Sequence, residues 1–273
     1  MAGASRRLSN FSADARRRKR PARHKRGVIV RGLKMLAEAT QKKGKIQHMP
    51  DLSLEHGKFM AQDWDRRADD SPLYWIAMME NEKEFVASGE ANLREHILND
   101  ITLKPDAVAL EIGCGIGRLM RPMAALCRKV IGVDVSARMI ELSKSFLDGL
   151  SNVETFVTSG STLPSIADNS IDLVYSFICF QHIPERAVIE SYVRESFRAL
   201  RPGGVFKFQV DGNIWEGRPR DHAETWAGAC YSPDEICEAC AGNRFQIRSV
   251  YYAPIGKQYL WVIAEKPFTT LRS

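Results

Sequence analysis

Residues 113–117 read Gly-Cys-Gly-Ile-Gly and follow directly on an apolar run that ends in Glu111-Ile112. Glycine loses more freedom on folding than any other residue, so three in five positions mark a turn whose bare backbone something approaches. A turn between a strand and a helix in an α/β sheet is a place where ligands bind, and the helix beyond it offers unpaired N–H groups. Two phosphate-binding patterns are excluded by spacing. A dinucleotide fingerprint needs its third glycine at position 118, where Arg118 stands, and no Gly-Lys-Ser/Thr ending of a P-loop is present. Further on, Phe-Ile-Cys-Phe-Gln-His-Ile-Pro (177–184) carries Gln181 and His182. A neutral imidazole there could take a proton from a hydroxyl or an amine, or could brace the helix that Pro184 opens. Cys237 and Cys240, with Cys230 and His222 upstream, could be read as a zinc site. The pair instead falls at i, i+3 of an amphipathic helix opened by Ser232-Pro233, and a second Cys-x-x-Cys is absent, so no metal is expected.

These residues need elements to position them. From residue 106 short apolar runs at 107–112, 129–134, 153–158, 171–177 and 204–210 alternate with helix-length stretches, the pattern of a parallel sheet covered on both faces. Two β-rich runs near the end, joined at Gly256-Lys257, are close enough for a hairpin, so one of them runs antiparallel to its neighbours. Residues 50–103 read as helical: Ser71-Pro72 suits a helix entry, and Phe85, Val86, Leu93, Ile97 and Leu98 share one face, weakened by Gly89. The division expected is a disordered basic tail over 1–45, a helical cap over 46–103 and the α/β domain over 104–273.

The chain has 273 residues and a net charge of +6, but the average conceals two parts. Residues 1–45 hold 15 Lys/Arg against only Asp14 and Glu38, a net +13; the rest holds 24 Lys/Arg against 31 Asp/Glu, a net −7. Eight Lys/Arg between 16 and 26 repel one another and stay solvated. Contact with nucleic acid, contact with an anionic membrane, an address signal, or a dispensable extension are the readings of this tail. Nucleic acid is expected, if at all, only through it, because the acidic body does not suit a polyanion. No apolar stretch is long enough to span a membrane and no secretory h-region opens the chain, so a cytoplasmic protein is expected, with its six cysteines reduced.

The stretch Glu-x-Gly-Cys-Gly-x-Gly (111–117), the acidic Asp134 ending Val-Ile-Gly-Val-Asp, the segment 162–185 and the segment 195–208 come in an order that resembles the class I S-adenosylmethionine-dependent methyltransferases, over about residues 106–266. The resemblance implies an α/β, doubly wound, mostly parallel seven-stranded Rossmann-like sheet with a C-terminal antiparallel hairpin and a helical N-terminal cap. It implies S-adenosylmethionine as cofactor, no metal, and a small-molecule acceptor methylated on oxygen or nitrogen. By the same resemblance Glu111 and the turn Gly113, Cys114, Gly115 and Gly117 would face the methionine part and ribose. Asp134, followed by Val135, would accept the ribose hydroxyls, since a carboxylate matches a vicinal diol. Arg118 would steady the cofactor's carboxylate, or else face solvent from a helix. Ser159, Gly160 and Ser161 stand where the family often places an acidic residue near adenine, and Ser176 stands at the end of the fourth strand. Trp64, Arg67, Tyr74 and Trp75 in the cap would close over the cofactor. Gln181, His182 and Asp211 are the candidate catalytic groups, with Trp215, His222 and Trp226 on the long loop that would shape the acceptor pocket.

Overall fold

The computed structural model describes residues 53–214, 225–253 and 258–268. The tail, Trp215, His222 and the Gly256-Lys257 joint lie outside these residues. Three helices come first: α1 (Ser53–Asp70), α2 (Pro72–Ala77) and α3 (Glu82–Asn92), the last running into a π-helical turn at Leu93–Ile97. Then follow β1 (Val108–Ile112), α4 (Met120–Met123), β2 (Lys129–Asp134), α5 (Ala137–Phe146), β3 (Val153–Val157), β4 (Ile171–Ser176), α6 (Arg186–Ala199), β5 (Leu200–Asp211), α7 (Pro233–Gly242), β6 (Gln246–Tyr252) and β7 (Tyr259–Glu265).

The strands form one seven-stranded sheet in the order β3-β2-β1-β4-β5-β7-β6. From β3 to β5 the pairings are parallel, and β7 runs antiparallel to both β5 and β6. The chain steps from β1 outward to β2 and β3, then returns to lay β4 on the other side of β1. That reversal opens a crevice at the carboxyl ends of β1 and β4, where such sheets bind ligands. Even-numbered residues of β1 (Val108, Leu110, Ile112) and of β5 (Phe206, Phe208, Val210) bury against α6 and α7, with Ile189, Val193 and Ile236. The other face packs Ala109, Leu173 and Tyr175 against Met120, Met123, Ile140 and Leu147.

Sequence logic is visible in the helix starts. Ser136 caps α5, its hydroxyl accepting from Met139 N at 3.0 Å, and Ser232 opens α7 in a reciprocal capping box with Glu235. Pro72 stands in the first turn of α2 after Ser71.

Two expectations are corrected. The helix after the glycine turn is only one turn long, because Pro122 has no N–H to give the Arg118 carbonyl and the chain must soon enter β2. Gly89, read as a weakness of its helix, is a packing requirement: a Cβ there would stand 2.4 Å from that same carbonyl.

Candidate functional site

A cavity opens at the crevice between β1 and β4. Its floor includes Glu111, Gly113, Cys114 and Gly115 from the end of β1, Asp134 and Val135 from the end of β2, and Gly160 after β3. Phe177, Cys179 and His182 come from the segment after β4, while Met60, Trp64, Trp75 and Ile76 close it from α1 and α2.

All three turn glycines have positive φ: +74° at Gly113, +54° at Gly115 and +96° at Gly117. Their uses differ. Gly113 and Gly115 line the cavity, whereas Gly117 is pressed on Leu147 and does not, a correction to the expectation that a ligand crosses all three. Gly113 N and Cys114 N donate to Val133 O at 2.8 and 3.1 Å, which ties the turn to β2. Gly115 N donates to Asp134 Oδ2 at 2.8 Å and Ser136 N to Oδ1 at 2.9 Å. The half-buried Asp134 carboxylate is therefore fixed by backbone N–H groups on both oxygens. Burial raises its pKa, opposed by those N–H groups.

Glu111 is 3% exposed, and the Tyr175 hydroxyl donates to its Oε2 at 3.0 Å. Burial raises its carboxyl to about 8, against the pull of Arg118. Arg118 does not face solvent: it is buried over the rings of Phe85 and Phe177, with Nη1 donating to Ser88 Oγ at 3.2 Å. Its Nε is buried without a hydrogen-bond partner among the described residues, in a side chain that lines the cavity. Burial lowers its pKa to about 10.

Of the Ser159-Gly160-Ser161 turn only Gly160 lines the cavity. Ser159 Oγ bonds Thr162 Oγ1 at 2.8 Å, and the buried Ser161 gives its carbonyl to Ser191 Oγ at 2.8 Å. The Ser176 hydroxyl donates to Ile112 O at 2.9 Å, so it links β4 to β1 rather than facing the cavity.

At the other end stands a directed chain of hydrogen bonds. Gln209 Nε2 donates to Gln181 Oε1 at 2.5 Å, Gln181 Nε2 to His182 Nε2 at 3.2 Å, and His182 Nδ1 to the Trp226 carbonyl at 2.9 Å. A carbonyl only accepts, so Nδ1 carries the proton and Nε2 presents a lone pair. Burial lowers the pKa of His182 to about 4, so the ring is neutral at physiological pH. Trp64 meets it edge-on at 5.6 Å and Trp226 lies over it at 4.8 Å.

Of the cap candidates, Trp64 and Trp75 reach the cavity, whereas Arg67 lies behind them and Tyr74 is 43% exposed on the outside. Asp211 belongs to β5 and is buried; it accepts from Asn213 N at 2.8 Å and does not line the cavity. Gln209, Tyr175 and Cys179 were not singled out from the sequence. The alternation Lys207, Gln209, Asp211 between Phe206, Phe208 and Val210 carried a signal for the first, since it places three polar groups on one side of a strand. All three are buried.

Residues 110–208 match the family described as "Methyltransferase domain". The chain is 32% identical over 121 residues to phosphoethanolamine N-methyltransferase 1 of Arabidopsis thaliana, covering 44% of this chain and 24% of that protein. It is 34% identical over 116 residues to a sterol 24-C-methyltransferase of Gibberella zeae, covering 41% of this chain and 30% of that one. The chain thus matches less than a third of the length of these curated relatives. A crystal structure of a SAM dependent methyltransferase from Aquifex aeolicus superposes with a TM-score of 0.51 at 18% identity, covering 68% of this chain and 100% of that one.

Proposed function

The chain carries a methyltransferase domain of the class I, S-adenosylmethionine-dependent family, and from that premise we propose that it transfers a methyl group to an oxygen or nitrogen of a small-molecule acceptor. One observation carries the reading: the turn at Gly113–Gly115, Asp134, Arg118 and the neutral imidazole of His182 all line one cavity. The relatives named for phosphoethanolamine and sterols support a small-molecule acceptor.

The residues present fit the cofactor. Asp134, its orientation fixed by the backbone N–H groups of Gly115, Val135 and Ser136, would accept the ribose hydroxyls. Arg118 would meet the carboxylate of the methionine part with Nε, and Glu111 would face that part's ammonium. Met60, Val135, Met139 and Ile183 supply apolar walls for the adenine, with Gly160 at their edge. The cofactor supplies an activated methyl on a sulfonium. The chain's own contribution is alignment, which converts a bimolecular step into an effectively unimolecular one. Trp64, Trp75 and Ile76 cover the site and keep out water. His182 Nε2 would take a hydrogen bond from the acceptor's hydroxyl or amine in place of the Gln181 N–H. With a pKa of about 4, it orients that nucleophile rather than holding its proton ahead of transfer.

Calorimetric titration with S-adenosylmethionine, S-adenosylhomocysteine and NAD tests the reading. The first two should bind and NAD should not, and Asp134→Ala should weaken binding at least about tenfold, as expected for a lost charge-assisted pair of hydrogen bonds. A folded protein that binds neither ligand would overturn it.

A further inference from the structure

Gln209 is 2% exposed on β5, a strand paired with β4 on one side and β7 on the other, so its side chain starts from a rigid base. Its Nε2 donates to Gln181 Oε1 at 2.5 Å, and Gln181 Nε2 stands 3.2 Å from His182 Nε2. Gln181 and His182 are neighbours in one short turn, Phe180–His182. His182 lines the cavity, whereas Gln181 and Gln209 do not.

The direction of this chain follows from its far end. The Trp226 carbonyl accepts from His182 Nδ1 at 2.9 Å. The segment that carries this carbonyl is set closely on the turn: Ala229 N donates to Ile183 O at 2.8 Å, and a Cβ on Gly228 would stand 2.1 Å from the Gln181 carbonyl. With its proton on Nδ1, a neutral ring has only a lone pair on Nε2, so Gln181 must turn an amide N–H toward it. Gln181 Oε1 then needs a donor elsewhere, and Gln209 Nε2 is that donor. For Nε2 to take a proton the Gln181 amide must turn over, and its NH2 would then face the N–H of Gln209, donor against donor. The other groups at the ring pull both ways: burial opposes the charged form, the Trp226 carbonyl favours it, Arg67 on α1 opposes it and Asp211 on β5 favours it.

We propose that Gln209 is a positioning residue: it locks the Gln181 amide with its N–H toward His182, so that the imidazole keeps a lone pair on Nε2 for the methyl acceptor. This rests on the methyl-transfer reading above, which supplies the acceptor. A ring that had taken a proton on Nε2 could no longer accept the acceptor's O–H or N–H, and it would set a like charge beside a cavity that receives a sulfonium. Gln209 touches neither ligand and acts through Gln181 alone.

The experiment uses the full chain with nitrogen-15-labelled histidine and follows the ring of His182 by NMR between about pH 4 and pH 8, its signals assigned by their loss in His182→Asn. In the wild type the neutral ring should carry its proton on Nδ1. Gln209→Met removes the donor at similar volume and should raise the midpoint of His182 by about 0.5–1 pH unit, the worth of one net hydrogen bond, with the new proton on Nε2. Made together with Gln181→Met, the same substitution should move the midpoint no further than Gln181→Met alone. S-adenosylhomocysteine should bind the wild type and Gln209→Met equally by calorimetry. Should Gln209→Met fail to fold, Gln209→Leu carries the test, with the same lost donor in a different shape. A wild-type proton on Nε2, an unchanged midpoint in the Gln209 variant, or a shift that persists in full beside Gln181→Met overturns the positioning role and leaves methyl transfer standing. Failure of the wild type to bind S-adenosylhomocysteine overturns the methyl-transfer reading, and with it the purpose of the lock.

Discussion

Glu111 sits almost wholly out of water with one phenol donating to it, and burial holds its pKa near 8 where an unfolded chain would have about 4.5. At neutral pH the folded protein therefore keeps a proton there that the unfolded chain has released. Between those two values the folded state binds more protons than the unfolded one, so stability falls as pH rises and levels off above the upper value. Glu111→Gln should remove that slope: from pH 5 to pH 8 the variant should gain on the wild type by on the order of a few kcal/mol in urea unfolding. A gap that stays constant with pH would contradict it. The same proton has a binding consequence. A cation placed beside Glu111 favours the ionised form, so S-adenosylmethionine should expel protons near neutral pH. The calorimetric heat should then depend on the ionisation enthalpy of the buffer, and Glu111→Gln should lose that dependence.

Among the elements, those set by hydrophobic pattern were readable and those set by contact were not. The run 129–134 matches β2 residue for residue, and Ser136 and Ser232 cap the helices they precede. Strand β5 begins earlier than its apolar core, at Leu200, because Gly203 N bonds Lys266 O and carries the ladder through the turn-like Arg-Pro-Gly-Gly. The polar side of β5 had no reading as buried surface, since Lys207 is enclosed only where Asn99 accepts from its Nζ and Trp261 lies below, contacts more than fifty residues away in sequence. Of the site, the glycine turn, Asp134, Arg118 and His182 were legible as types at a spacing. That Arg67 and Tyr74 miss the cavity while Trp64 and Trp75 reach it was not, because it depends on how α1 packs on α5 and α2 on α1. Gly89 shows the same limit. Helix propensity alone says that Gly89→Ala stabilises by about 0.5–1 kcal/mol. The contact of 2.4 Å with the Arg118 carbonyl reverses the sign. Overpacking of this kind costs about 1–3 kcal/mol, so a net loss is expected in urea unfolding, with weaker S-adenosylhomocysteine binding as Arg118 is displaced. A more stable variant would show that the contact relaxes freely.

For the whole molecule the charge is divided, +13 over residues 1–45 and −7 over the remainder. No helix among the described residues is long and apolar enough to cross a membrane. An acceptor small enough for the cavity has no use for the basic segment, so removing residues 1–45 should leave turnover on such an acceptor unchanged at low and high salt. A loss that steepens as salt is lowered in the intact chain would instead mark a polyanionic acceptor held by that segment, since counterion release makes such binding depend on ionic strength. Affinity for S-adenosylhomocysteine should not change in either case.

The order of the sheet also bears on how the chain is made. β7 lies between β5 and β6, and among the described residues β6 pairs with β7 alone. β6 is therefore synthesised before the strand it pairs with, and the outer edge of β5 has no strand to pair with until β7 is made. Completion of the sheet therefore waits on residues 259–265, which pair with both β5 and β6. Until then the edge of β5 that β7 covers is open, a surface on which a holding chaperone would have to act.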